Sequence, residues 1–136
     1  MILADSSVWI DFFRNLDTPQ TRLLEQGIRT QSIAMGDLVL TEVLQGTRDR
    51  HDLSRTLARL STLDVIRIVD EEVAIGAARN FQLLRSRGIT PRKTIDTLIA
   101  TRCIVDDIPL LYSDRDFNPF VRHLGLRSAM GASGVN

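Results

Sequence analysis

Ile2-Leu3-Ala4-Asp5-Ser6-Ser7-Val8-Trp9-Ile10-Asp11-Phe12-Phe13 opens the chain, and its reading decides the fold. Ile2-Leu3-Ala4 is a short apolar run of the kind a fully buried strand uses. An acid, Asp5, ends it, and Ser6 or Ser7 can cap the helix that carries Trp9, Ile10 and Phe13. A buried strand running straight into a helix is the first half of a βαβ unit, and the rest of the chain repeats the alternation. Thr18-Pro19 begins a second helix that Gly27 is expected to end, and Ser32-Ile33-Ala34-Met35 is a second strand. Asp37 caps a helix to about Gln45, stopped by Gly46. A further helix from Asp49 to Leu60 precedes a strand at Val65-Ile66-Arg67-Ile68. Asp70-Glu71-Glu72 starts a long helix with a basic, glycine-ended finish at Arg85-Ser86-Arg87-Gly88. After Pro91 come a helix from Thr94 to about Val105, a turn at Asp106-Asp107-Ile108-Pro109, a strand at Leu110-Leu111-Tyr112 and a last short strand at Leu126-Arg127-Ser128. Short strands alternating with helices imply an α/β fold with a mainly parallel sheet and helices on both faces. In such sheets, sites form beyond the carboxyl ends of the strands.

The 136 residues fit one domain. The final stretch, residues 131–136, has the Gly-Ser-Ala composition of a flexible tail. With aromatics at 5%, the core must be built from Leu, Ile, Val and Ala. The one cysteine, Cys103, lies in the apolar run Leu98 to Val105, which marks it as a packing thiol rather than a nucleophile. His51 and His123 are far apart in sequence, so a zinc site of the usual His/Cys kind is excluded. No apolar run approaches the roughly 20 residues that span a bilayer. The opening also meets Asp5 too early for a signal peptide, so the protein is expected to be soluble and cytoplasmic. Seventeen basic residues balance seventeen acidic ones, which removes bulk attraction as a route to nucleic acid. Any positive charge facing a nucleic acid has to be local, or a metal has to supply it.

Most of the acids have an ordinary structural place as caps, turn residues or members of solvated faces. Asp5, Glu42, Asp96, Asp114 and Asp116 resist that account. Asp5 ends the first strand, where Ser6 and Ser7 already offer a cap. Asp96 sits in a helix in which seven of the eleven residues from Ile95 to Val105 are apolar. At about 100° per residue, Ala100 and Cys103 share its face, so the carboxylate looks out over small side chains. An ionised acid there costs several kcal/mol unless a cation or a partner compensates. A salt bridge to Arg102 or Arg92 is the competing structural account. Glu42 lies at the flank of the apolar stripe of its helix, and Asp114 and Asp116 follow the strand Leu110-Leu111-Tyr112. In a parallel sheet these positions can converge at one end. Carboxylates so gathered repel unless some protonate or divalent cations enter. Magnesium suits an all-carboxylate site, since it takes a few carboxylates, keeps waters and leaves positions for phosphate oxygens. Ser6 and Ser113 can orient the acids or a phosphate, and Arg14, Arg92, Lys93 and Arg115 are candidate phosphate contacts.

These segments together resemble the PIN-domain nucleases, and within them the VapC-type toxins of toxin–antitoxin pairs. The resemblance is carried by residues 2–11, by Leu40-Thr41-Glu42-Val43-Leu44-Gln45-Gly46, by Lys93-Thr94-Ile95-Asp96-Thr97-Leu98-Ile99-Ala100, and by Leu110 to Phe117. It implies a three-layer α/β/α sandwich with a sheet of four or five short strands and a nuclease domain over residues 1–130. It implies metal-dependent RNA cleavage by Asp5, Glu42, Asp96 and Asp114, with Asp116 as an accessory fifth acid and Mg²⁺, or Mn²⁺, as a cofactor held first by Asp5 and Asp96, with Glu42 and Asp114 as further candidate ligands. It further implies a homodimer and inhibition by a small antitoxin that occupies the active-site groove. Ser6 stands where the family often has threonine, which keeps the hydroxyl. The alternative is a catalytically silent module of the same fold that grips RNA or protein. A haloacid-dehalogenase-type phosphatase would need an aspartate where Ser7 stands, and a receiver domain would need paired acids where Ser6 follows Asp5 and a lysine where Arg115 stands.

Overall fold

The computed structural model of the protein describes residues 1–131, so the expected tail at 131–136 lies, apart from Gly131, outside the described residues. Four strands, β1 (Ile2–Ala4), β2 (Ile33–Gly36), β3 (Asp64–Ile66) and β4 (Leu110–Leu111), form one sheet in the order β3-β2-β1-β4. Every pairing is parallel, with Leu3 opposite both Ala34 and Leu110 and Met35 opposite Val65. Among the described residues the helices are α1 (Ser6–Phe13), α2 (Pro19–Arg29), α3 (Asp37–Gln45), α4 (Arg50–Leu60), α5 (Glu71–Ser86), α6 (Thr94–Val105) and α7 (Asn118–Leu124), with a 3-10 turn at Arg115–Phe117. Helices α1 to α4 pack among themselves along the first two crossovers, while α5 packs on α6 and α7. The chain steps from β1 outward through β2 to β3, then returns to the other side of β1 for β4. That reversal places a topological switch point between the carboxyl ends of β1 and β4, where open α/β sheets bind their ligands.

The strands are short and the sheet is covered. Leu3, Ala4, Leu110 and Leu111 are wholly buried, and Ala34 and Met35 nearly so. Trp9 packs beside Phe12 and Phe13 under one layer, and Tyr112, Phe117 and Phe120 form a second ring cluster under the other. Tyr112 donates its hydroxyl proton to Asn118 Oδ1 at 2.8 Å, which satisfies the polar end of a buried ring.

Several expected boundaries move, each for a local reason. Gly27 does not end α2, which continues to Arg29. A Cβ at Gly27 would stand 2.5 Å from Ile33 Cδ1, so this glycine lets the helix lie close over β2. Thr18 does start that helix, in a reciprocal cap with Thr21 and with Pro19 in the first turn. Asp37 is the first helical residue of α3 rather than its cap; Gly36 holds the cap position, and Asp37 Oδ1 instead accepts from the Ile68 amide at 3.0 Å. The strand expected at 65–68 is shifted to Asp64–Ile66, Tyr112 lies beyond β4, and the expected strand at 126–128 is reduced to one bridge between Ser128 and Leu110. Helix α7 and the 3-10 turn before it were not expected, although Asn118-Pro119 carries a helix-start signal. Cys103 is buried and free, and burial pushes its thiol up to about 12, as a packing residue requires.

Candidate active site

Asp5 follows β1 directly, and Asp114 comes three residues after β4, so the switch point sets both at the same end of the sheet. Helix α3 leaves β2 at that end and carries Glu42 one and a half turns in. Asp96 is in the first turn of α6. The four remote acids are electrostatically coupled: Asp5 repels Glu42, Asp96 feels Asp5, Asp114 and Glu42, and Asp114 repels Asp5.

Asp5 is itself the N-cap of α1, contrary to the expectation that Ser6 or Ser7 would make it redundant. Its Oδ2 accepts from the Ser7 amide at 3.2 Å and the Ser7 hydroxyl at 2.8 Å. Its Oδ1 is buried and has no hydrogen-bond partner. Glu42 Oε1 and Asp96 Oδ2 are buried and unpartnered in the same way. Each of the three acids therefore keeps one oxygen out of solvent without a hydrogen bond to compensate it. Burial raises the proton affinity of all three, with repulsion by Asp5 the next cause for Glu42 and Asp96. Ser7 pulls Asp5 down again, and Lys93 does so for Asp96. Asp96, 6% exposed, is pushed up to about 7. The competing account of Asp96 as a salt-bridge residue fails. Arg102 is committed to Asp70 at 2.8 Å and Asp106 at 3.1 Å, and Arg92 to Asp116 at 2.8 Å.

Asp114 caps the 3-10 turn, accepting from the Asp116 amide at 2.9 Å, and this brings Asp116 round to the cluster. One carboxylate oxygen from each of Asp96, Asp114 and Asp116 lies within 4.8 Å of the others, the tightest acidic trio among the described residues. Asp116 thus joins Asp96 and Asp114 in one trio, while Asp5 supplies the leading repulsion on Glu42 and Asp96. The donor set is entirely carboxylate, with unsatisfied buried oxygens, which fits a hard divalent cation such as Mg²⁺ or Mn²⁺ and no soft one.

A cavity of about 110 Å³ opens beside Asp96 and Asp116 and is also lined by Arg92, Lys93 and Arg115. The balanced chain therefore concentrates positive charge at the rim of its acidic site. Ser113 enters through its backbone amide, which donates to Ser7 Oγ at 3.3 Å. Ser6 lies near enough to Glu42 for its hydroxyl to lower that acid's proton affinity. Arg14 is not brought to the acids; it lies exposed past the far end of α1, in a groove with Phe13, Val43 and Arg55. The residue that sequence reasoning missed is Ser7, whose hydroxyl joins the ends of β1 and β4 while donating to Asp5. The Asp-x-Ser spacing after a strand was its available signal.

The PIN domain profile matches residues 2–121. Among curated proteins, "VapC ribonuclease Mb1587" of Mycobacterium bovis and "Ribonuclease VapC11" of Mycobacterium tuberculosis are each 31% identical to this chain, covering 95% of it and 98% of their own length. Among solved structures, VapBC2 from Rickettsia felis, bound to a DNA fragment from its promoter, superposes with a TM-score of 0.73 at 20% identity. That match covers 94% of this chain and 97% of the other. VapBC-1 from nontypeable Haemophilus influenzae gives 0.70 at 17% identity, covering 94% and 96%. At those identities the likeness is one of fold. The profile spans all four strands and each of the five acids, and the chain belongs to the PIN-domain family.

Proposed function

We propose that the protein is a metal-dependent endoribonuclease, the toxin of a toxin–antitoxin pair, that hydrolyses RNA phosphodiester bonds at the acidic end of its sheet. The observation that carries this reading is the set of three buried, unpartnered carboxylate oxygens on Asp5, Glu42 and Asp96, beside the trio of Asp96, Asp114 and Asp116. Ribonuclease relatives and the PIN-domain membership supply the reaction class.

Asp96 and Asp5, with Asp114 and Glu42 beside them, would hold Mg²⁺ or Mn²⁺. Bound there, such an ion would supply an activated water at neutral pH and charge neutralisation at the phosphodiester. The chain's own groups do the rest. Ser7 fixes the Asp5 carboxylate through two hydrogen bonds, so that its free oxygen keeps one direction. Asp114 fixes Asp116 through the 3-10 turn. Arg92, Lys93 and Arg115 line the cavity beside the acids, where they can meet RNA phosphates and hold the scissile bond in place.

The same reading includes a small antitoxin that occupies the active-site groove, a homodimer, and action in the cytoplasm. The solved relatives of this fold include the VapBC toxin–antitoxin complexes, and no helix among the described residues is long and apolar enough to cross a membrane. The test is cleavage of total RNA by the purified protein with Mg²⁺ and with EDTA, alongside Asp96→Asn. Cleavage that needs the metal and disappears in a folded Asp96→Asn protein supports the proposal. Equal cleavage by that variant refutes it, and binding of RNA without any cleavage points to the silent module instead.

A further inference from the structure

Arg92 is held in an unusual way for a phosphate contact. Its Nε and Nη2 both donate to Asp116 Oδ2, at 3.3 and 2.8 Å, so one edge of the guanidinium is consumed by an acid of the site while the side chain stays 75% exposed. A planar group tethered by its edge keeps its faces free, and a guanidinium face is a stacking surface for a nucleobase. The cavity beside it is not uniformly charged. Ile89, Pro91, Pro119 and Phe120 supply an apolar lining, and Lys93 and Arg115 contribute the other cations. An apolar recess with cations around it, opening directly onto Asp96 and Asp116, matches the chemistry of one nucleotide: a flat, weakly polar base beside a phosphate.

We infer that this recess is a base subsite in which a nucleobase next to the scissile phosphate stacks on Arg92 and sits against Pro119 and Ile89. The inference rests on the ribonuclease reading and adds to it a place that holds the nucleotide beside the scissile bond. Asp116 then has two tasks, holding the plane of Arg92 and facing the cluster with its carboxylate, which couples base capture to the geometry of the acids. Base stacking is sequence-tolerant, so the subsite discriminates a base from no base more strongly than one base from another.

The test uses short oligoribonucleotides carrying the mapped cut site, with the base on one side or the other replaced by an abasic residue, cleaved under Mg²⁺ by the parent and by Arg92→Lys. Lysine keeps the charge and loses the plane. In the parent, removing the base on one side should lower kcat/KM by roughly 10- to 100-fold, the range expected for one lost stack. In Arg92→Lys that penalty should shrink to roughly threefold or less, since the stacking face has gone. An undiminished penalty in Arg92→Lys, or no penalty in the parent, overturns the inference and leaves the nuclease reading intact. If no RNA is cut at all, the nuclease reading falls, and fluorescence anisotropy with the same oligonucleotides decides the subsite alone. Base-dependent binding that Arg92→Lys removes sustains it, and base-independent or absent binding overturns it.

Discussion

Asp96→Asn should make the metal-free protein more stable, and by an amount the structure sets. Burial and the charges of Asp5, Asp114 and Glu42 move this carboxyl from 3.8 to about 7. Each tenfold change in proton affinity is worth about 1.4 kcal/mol, so keeping Asp96 ionised in the folded protein costs on the order of 4 kcal/mol. The folded state holds the proton more tightly than the unfolded chain. The favourable contribution is therefore complete below 3.8, declines as the pH rises toward about 7, and leaves the full penalty above it. Asparagine has the same shape and no charge, but it leaves a polar amide unpaired where the buried carboxylate stood, so a gain of roughly 2–4 kcal/mol is expected at pH 8. For a domain of this size that is a rise in Tm of about 6–15 °C. The assay is a pair of melting curves in EDTA at pH 8 and at pH 4.5, read by circular dichroism. The variant should melt well above the parent at pH 8, and the gap should narrow sharply at pH 4.5. A variant that melts at or below the parent at pH 8 would refute the claim that Asp96 is an uncompensated buried charge.

Three further outcomes follow from the same geometry. Magnesium at a hundredfold excess over its Kd should stabilise the parent by about 2.7 kcal/mol and Asp96→Asn far less, which thermal shift with increasing Mg²⁺ checks. Ser7→Ala removes the hydroxyl that holds Asp5 and receives the Ser113 amide. It should cost about 1 kcal/mol of stability and lower kcat while KM changes little, by melting and initial-rate measurements. Arg102→Ala removes the Nε–H that the Ile68 carbonyl accepts and the guanidinium donors to Asp106 and to Asp70, whose other oxygen keeps the Val73 amide. A loss of roughly 2–4 kcal/mol by chemical denaturation is expected, with no change in the residual activity per folded molecule.

The α/β alternation and the four remote acids were legible in the sequence because each depends on local patterns. An apolar triplet before an acid, and an acid inside an apolar helix, are visible without knowing what lies across the fold. What could not be read depends on distant partners. Gly27 looks like a helix stop until Ile33 is placed against it. Asp37 looks like a cap until the Ile68 amide arrives from 31 residues away. The approach of Asp116 to Asp96 and Asp114 depends on a 3-10 turn that Asp114 itself organises, and the tether on Arg92 spans 24 residues. Arg14 was a reasonable phosphate candidate by its place after the first helix, yet that helix carries it away from the acids toward α3 and α4.

The most direct measurement is crystallographic: crystals soaked in Mn²⁺, with an anomalous difference map collected at the manganese edge. A peak within about 2.0–2.3 Å of carboxylate oxygens of Asp96 and at least one of Asp5, Glu42 and Asp114 is the expected result. An empty cluster at saturating Mn²⁺, or a peak bound only elsewhere on the surface, would contradict the account.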